Sequence, residues 1–123
     1  MCSSDLCRKE NIGVIGYYSL ASGFLSCKYR PGSTASGSPR AAAAASYLDA
    51  RGLRILAALD DVAAAHRTNL THIALAWLQA RPGVTAPIVS ATSLAQLHDL
   101  TESASIRLSA DQIATLNRAS DLP

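Results

Sequence analysis

Two short apolar stretches near opposite ends of the chain lack the apolar-polar alternation of a half-exposed strand. Ile12 to Tyr17 is apolar, partly β-branched and bounded by glycines, and Pro87 to Ser90 is a shorter run. Continuous apolar runs of this length indicate strands covered on both faces. Each run leads into small hydroxyl or glycine residues and then a helical pattern, which is typical of a parallel α/β fold.

Between and after these runs, apolar residues recur at helical spacing. Leu48 to His66 predicts a long amphipathic helix. Asn69 is a good N-cap for a second, more apolar helix over Leu70 to Ala80, and we expect these two helices to pack together. Capping-box patterns predict a third helix from Ser93 to about Ser103 and a last one from Ser109 to about Ser120.

The remaining segments predict shorter elements. Asp5 to Glu10 has the pattern of a helix end, with Asn11 as its stop, and Leu20 to Cys27 predicts a short helical turn. The Pro-, Gly- and Ser-rich residues 31–39 predict an exposed, mobile loop. Because no repeat or second domain is evident, we expect one helix-rich α/β domain over residues 1–123.

Composition narrows the classes of function. Of the 123 residues 49% are apolar and 16% charged, and the net charge is +2 with scattered arginines, so small ligands are expected rather than nucleic acid or a membrane surface. Cys2, Cys7 and Cys27 form no C-x-x-C pair and predict reduced thiols. An export signal and an apolar run of about 20 residues are both missing from the pattern, which predicts a cytoplasmic protein.

The histidines and the tryptophan suggest structural positions. His66, His72 and His98 fall on predicted helices away from the strand ends. We therefore expect them on the surface or at helix caps, and none is proposed as a metal ligand or base. Trp77 lies in the most apolar helix and is expected in the core.

The two strand ends carry the candidate chemistry. The run from Tyr17 to Gly23 follows the first strand, and Ser90 to Ser93 follows the second. Hydroxyl groups, glycines and helix N-termini at the carboxyl ends of parallel strands are typical of phosphate-binding sites.

These residues resemble the last part of an aldo-keto reductase, a family of (β/α)₈ barrels that use NADP(H). The similarity covers most of the chain from Leu6 to Ser120. Tyr17-Tyr18-Ser19-Leu20-Ala21 is similar to the family's aromatic residue followed by Ser-Pro-Leu-Ala, with the hydroxyl shifted by one position. Ser90-Ala91-Thr92 is similar to the family's Gly-Ala-Ser or Gly-Ala-Thr.

The resemblance implies a role for each matching position in holding NADP(H). Tyr17 would stack on the nicotinamide, and the turn that follows would wrap the pyrophosphate. Lys28 and Arg40 would lie beside the phosphates and the adenosine part, and Thr92 with the next helix would hold the ribose phosphate. The implied cofactor-binding residues are Tyr17, Tyr18, Ser19, Leu20, Ala21, Gly23, Lys28, Arg40, Ser90, Thr92, Gln96 and Asp99.

The resemblance also implies a partial barrel, consisting of its last two strands and their helices. A complete barrel needs about 250 residues. In the family the catalytic tetrad lies on earlier strands, so we nominate no catalytic residue, expect the chain alone to be inactive and leave open whether it acts as an enzyme. Exposed strand edges predict association with a complementary barrel half or with a second copy.

Other interpretations stay open. Tyr17 and Tyr18 also suit packing at a strand end, Ser93 and Gln96 suit a helix cap, and Lys28 suits a solvated charge. A non-catalytic nucleotide-binding or regulatory module that pairs with another chain is the alternative function. A helix-turn-helix over residues 68–81 is disfavoured because a strand, not a recognition helix, is predicted next.

Overall fold

The computed structural model describes residues 3–26, 28–32 and 40–121, and its helices alternate with two short strands. The helices are α1 (Ser3–Lys9), α2 (Ala41–Ala45), α3 (Ala50–His66), α4 (Leu70–Gln79), α5 (Leu94–Glu102) and α6 (Ala110–Ser120). The strands are β1 (Val14–Gly16) and β2 (Val84–Pro87), and short 3-10 segments span Ala21–Ser26 and Ser103–Ser105. The expected helix-rich α/β composition is present.

The strands β1 and β2 form a parallel two-stranded sheet. Val14 lies opposite Val84 and Gly16 lies opposite Pro87, with an irregular register between Val14 and Ile15. Two parallel strands need a long crossover between them, and α2, α3 and α4 supply it. The sheet therefore has the βαβ connection that the sequence pattern predicts.

The strand predicted at Pro87 to Ser90 is wrong, because β2 ends where that prediction begins. The last hydrogen bond of the ladder runs from Ile88 N to Gly16 O at 2.9 Å. Beyond Gly16 the chain turns, with Ala21 N donating to Tyr18 O at 2.9 Å, so the apolar residues after Ile88 find no partner strand in β1.

The first strand is shorter than predicted and is not covered on both faces. Ile12 N donates to Cys7 O at 2.8 Å, which makes Ile12 part of the turn that ends α1. Asn11 has a left-handed φ of 56°, which confirms it as the helix stop. In the described part of the chain α4 packs against β2, while the Ile15 side chain of β1 is 61% exposed.

Side-chain caps define most of the long helices. Asn69 accepts a hydrogen bond from His72 N at 3.0 Å, and Ser109 forms a complete capping box with Gln112, as predicted. Asp49 caps α3 by accepting from Gly52 N at 2.7 Å, so this helix begins two residues later than predicted.

The core lies among α3, α4, α6 and the 3-10 segment after β1. Leu56 of α3 and Ile73 of α4 are fully buried, and Phe24 and Leu116 close the cluster. Trp77 packs against this core, and the predicted packing of α3 on α4 is confirmed. Burial of these apolar side chains is the main stabilising contribution to the helical part of the molecule.

One helix was not predicted from the sequence, and part of one predicted loop lies outside the described residues. The short helix α2 lies within an alanine run for which no helix was predicted. Most of the loop predicted to be mobile, residues 33–39, lies outside the described residues, as does Cys27. None of the described helices has both the length and the apolar character needed to cross a bilayer.

Candidate functional site

The two candidate patches follow neighbouring strand ends at the carboxyl edge of the sheet. Because β1 and β2 are parallel neighbours, the residues that follow them emerge on the same side. Ser19 Oγ lies 3.0 Å from Gly16 O and 2.9 Å from Ile88 O, so its single hydrogen can be donated to the end of either strand. This hydroxyl joins the two strand ends.

Tyr17 and Tyr18 form an exposed aromatic pair directly after β1. Their ring centroids lie 4.3 Å apart at an interplanar angle of 44°, and the side chains are 69% and 66% exposed. A side-chain hydrogen bond with Tyr18, and then the charge of that neighbouring phenol, raise the pKa of Tyr17. A planar ring can stack against such a surface. The raised pKa of Tyr17 favours the neutral form of its hydroxyl.

The turn after the tyrosines has an unusual backbone. Ala21, Ser22 and Gly23 all have positive φ, of 47°, 58° and 94°. Ala21 N donates to Tyr18 O and Gly23 N donates to Leu20 O, each at 2.9 Å. These two N–H groups are engaged inside the turn, and Leu20 packs against the core.

Glycine is favoured at position 23 by the space available as well as by the positive φ. A Cβ atom at this position would lie 3.2 Å from Cε2 of the buried Tyr29 ring. Tyr29 is followed by Arg30, which binds the Asp60 carboxylate of α3 through Nη1 at 2.7 Å and Nη2 at 2.8 Å. The chain segment after Lys28 is thereby anchored on α3.

Lys28 and Arg40 are both exposed. Lys28 precedes the anchored Tyr29, and Arg40 occupies the N-cap position of α2 without a side-chain cap bond. The connection between them includes residues 33–39, outside the described part.

The second patch is organised by Gln96 at the start of α5. Gln96 Oε1 accepts from Thr92 N at 2.8 Å and from Thr92 Oγ1 at 2.9 Å. Ser93 caps the helix by accepting from Gln96 N at 3.2 Å, but the reciprocal half of the predicted capping box is replaced by the Thr92 contact. Ser90 lies exposed just before this group.

Asp99 is directed toward the N-terminus of α4. Its Oδ1 lies 3.1 Å from Asn69 Nδ2 and 3.0 Å from His72 Nε2. His72 is only 3% exposed, and its N–H is bonded by the Asn69 cap, so the expectation of a surface or cap position is met at the cap and not at the surface. The helical pattern of α4 could not reveal the contact between His72 and Asp99, because Asp99 lies 27 residues further along the chain.

Comparison with protein families gives a match over nearly all of these elements. The model of the aldo/keto reductase family matches residues 3–121 of the chain. The chain belongs to the aldo/keto reductase family. Comparison with curated proteins gives no match.

Family membership gives the two-stranded sheet a larger context. Aldo/keto reductases are oxidoreductases that generally use NAD(P)H, and their fold is a parallel barrel. Active sites of such barrels lie at the carboxyl ends of the strands. In this aldo/keto reductase chain, that edge is where the tyrosine pair and the Thr92–Gln96 group emerge.

A cavity of about 290 Å³ lies beside this edge, between the 3-10 segment and the ends of α3, α4 and α6. Phe24, Ile55, Trp77 and Leu116 give it a mainly apolar wall, and Arg51 stands at its rim. The Arg51 guanidinium is committed to the end of α6, because Nε donates to Ser120 O at 3.0 Å. Of the candidate cofactor residues, Ser19 and Ala21 contribute to this wall.

Proposed function

We propose that this chain provides the carboxyl-terminal, cofactor-binding part of an NADP(H)-dependent aldo/keto reductase, with β1 and β2 as strands seven and eight of its barrel. The observation that carries the proposal is the convergence of Tyr17, Tyr18 and the Thr92–Gln96 group at one parallel strand edge. The family match over residues 3–121 supports it.

The residues at this edge fit a dinucleotide. The exposed Tyr17 ring offers a face for the nicotinamide, and the first turn of α5 offers backbone N–H groups and the positive end of a helix dipole to a phosphate. Ser90, Thr92 and Gln96 are exposed in the segment that follows β2, and we assign them to the ribose. No lysine or arginine follows β2 before α5, so the proposed preference for NADP(H) rests on the family alone.

Several candidate residues would support cofactor binding indirectly, by shaping the backbone or by holding other residues in place. Ser19 ties the two strands together, and Leu20, Ala21 and Gly23 shape the turn. The proposed role of these residues is to hold Tyr17 in place at the edge. Lys28 and Arg40 supply positive charge toward the phosphates.

The proposed chemistry is reduction of a carbonyl group or the reverse oxidation of an alcohol. The bound cofactor supplies hydride to the carbonyl carbon, and a proton adds to the oxygen. This chain's share is to bind and orient the dinucleotide at the strand edge. The proton donor and the residues that tune it would come from barrel strands outside these 123 residues.

A fluorescence titration with NADPH tests the proposal. We expect the chain to bind NADPH when mixed with the preceding strands of an aldo/keto reductase barrel. Tyr17→Ala should weaken this binding about fivefold, since aromatic contacts contribute roughly 1 kcal/mol and 1.4 kcal/mol is tenfold. Tyr17→Phe keeps the ring face and should bind within about twofold of the original chain.

The same titration separates the alternative function. Micromolar binding without an added partner would favour the non-catalytic nucleotide-binding or regulatory module that pairs with another chain. Failure to bind NADPH under either condition, or equal binding by Tyr17→Ala and the original chain, would contradict the proposed site.

A further inference from the structure

Three side chains with metal-ligating atoms converge where the start of α4 meets the end of α5. The ligand atoms of His72, Asp99 and Glu102 all lie within 4.8 Å of one another. His72 is 3% exposed, and its Nε2 lies 3.0 Å from Asp99 Oδ1 and 3.4 Å from Asn69 Nδ2. A buried imidazole opposite two solvent-accessible carboxylates makes a mixed nitrogen and oxygen set.

The groups around these ligands hold them in place. Thr68 Oγ1 lies 2.6 Å from His72 Nδ1, the ring nitrogen that faces away from the carboxylates. Asn69 Nδ2 donates to Asp99 Oδ1 at 3.1 Å. A hydrogen bond to the second ring nitrogen and another to the carboxylate are the outer contacts that orient metal ligands.

The electrostatics of this corner favour a cation. Asp99 and Glu102 lie one turn apart in the last part of α5, where the helix dipole is negative and the two carboxylates repel each other. Within residues 3–26, 28–32 and 40–121, Asp99 contacts His72, and no salt bridge joins either carboxylate to a lysine or arginine.

We propose that His72 Nε2 and the carboxylates of Asp99 and Glu102 bind a divalent transition-metal ion, with Zn²⁺ as the best match. Neutral imidazole with carboxylate oxygens is a common three-residue zinc set, with water in the fourth position. Tetrahedral bonds of about 2.0–2.1 Å place ligand atoms roughly 3.3 Å apart. Rotation of the exposed Glu102 side chain closes the set to that spacing. With Nδ1–H donated to Thr68, the Nε2 lone pair faces the ion.

The bound ion links α4 to α5 independently of any dinucleotide. Asp99 also belongs to the residues proposed for NADP(H), so the deciding variants are made at His72 and Glu102, which do not. Zinc binding and NADPH binding are then separate measurements, and failure of one leaves the other intact.

Calorimetric titration of the chelator-treated full chain with ZnCl₂ tests the site. We expect about one equivalent of Zn²⁺ to bind, and His72→Gln and Glu102→Gln each to weaken binding at least about tenfold. His98→Gln is the matched control, because His98 lies exposed on α5 next to Asp99 but outside the cluster. It should change the affinity by less than twofold. Zinc should also raise the Tm of the original chain and of His98→Gln.

Four results would overturn the proposal. Equal weakening by His98→Gln would indicate unspecific surface binding. Glu102 is exposed, so Glu102→Gln should fold normally. Full zinc binding by this variant would show that Glu102 is not a ligand. Binding that survives both ligand variants would place zinc elsewhere, on the cysteine thiols for example, and absence of binding by the folded chain would refute the site altogether.

Discussion

The candidate side chains fall into two groups, those that bond to the rest of the protein and those that are exposed to solvent. Ser19, Gln96 and Asp99 use their polar atoms on other residues of the chain, whereas Tyr17 and Tyr18 bond to each other and leave most of their surface exposed to solvent. The tyrosine pair is therefore the part of the edge most available to a ligand, and the other residues stabilise the backbone that carries it.

The hydrogen bond between the two tyrosines should be visible in their titration. Because the neutral phenol of Tyr17 makes this bond, it is intact below pH 10.0, the ordinary pKa, and is lost as the pH rises through the raised pKa. Tyr18→Phe removes the bond and should lower the pKa of Tyr17 toward 10.0. Alkaline titration followed by tyrosinate absorbance measures this shift, and Tyr47→Phe should leave Tyr17 unchanged. An unaltered Tyr17 midpoint in Tyr18→Phe would contradict it.

At the scale of elements, the first turn of α3 depends on a close backbone contact. Gly52 is buried there, and a Cβ at this position would overlap the Tyr47 carbonyl oxygen and lie 3.0 Å from Phe24 Cζ. The glycine lets the chain before α3 cross close to the helix while Asp49 caps it.

Gly52→Ala should therefore lower the free energy of unfolding by about 1–3 kcal/mol, as overpacked substitutions do. Gly16→Ala is the matched control, because no atom lies within 4 Å of a Cβ at Gly16. It should change the free energy of unfolding by no more than about 0.5 kcal/mol. Chemical denaturation measures both variants, and equal losses would show that the Tyr47 contact does not matter.

Elements defined by local chemistry could be predicted from sequence, and those defined by distant partners could not. The caps Asn69 and Ser109 act within three residues of themselves, so their helices were located correctly. The second strand was misplaced because strand pairing depends on where β1 ends, far away in the sequence. The family similarity led to the two strand ends, but the local pattern did not reveal that Gln96 would bind Thr92.

For the whole molecule, the core and the proposed site lie in different places. The buried residues lie among α3, α4 and α6, whereas Ile12, Ile15, Ile88 and Val89 at the sheet remain exposed. We call these four residues the apolar sheet surface. Exposed apolar residues beside strand edges favour association. The proposed partner is a complementary part of the barrel, and a second copy of the chain is the alternative when that part is absent.

Self-association of the chain alone should therefore depend on the apolar sheet surface. Ile15→Lys places a charge on it and should weaken association at least about tenfold, since a buried unpaired charge is costly. Leu53→Lys is the matched control, because Leu53 is also an exposed apolar residue but lies on α3. Sedimentation over a range of concentrations measures both variants. Equal weakening by the two would locate the contact elsewhere, and a monomer at all concentrations would contradict self-association.

Tyr29 and Arg30 anchor the chain on the body of the molecule directly after Lys28. The Tyr29 ring is buried, and the Arg30 guanidinium donates two hydrogen bonds to the Asp60 carboxylate. The backbone at Lys28 is therefore held beside α3 by the two residues that follow it, and any loss of the Arg30–Asp60 contact would shift the lysine with them.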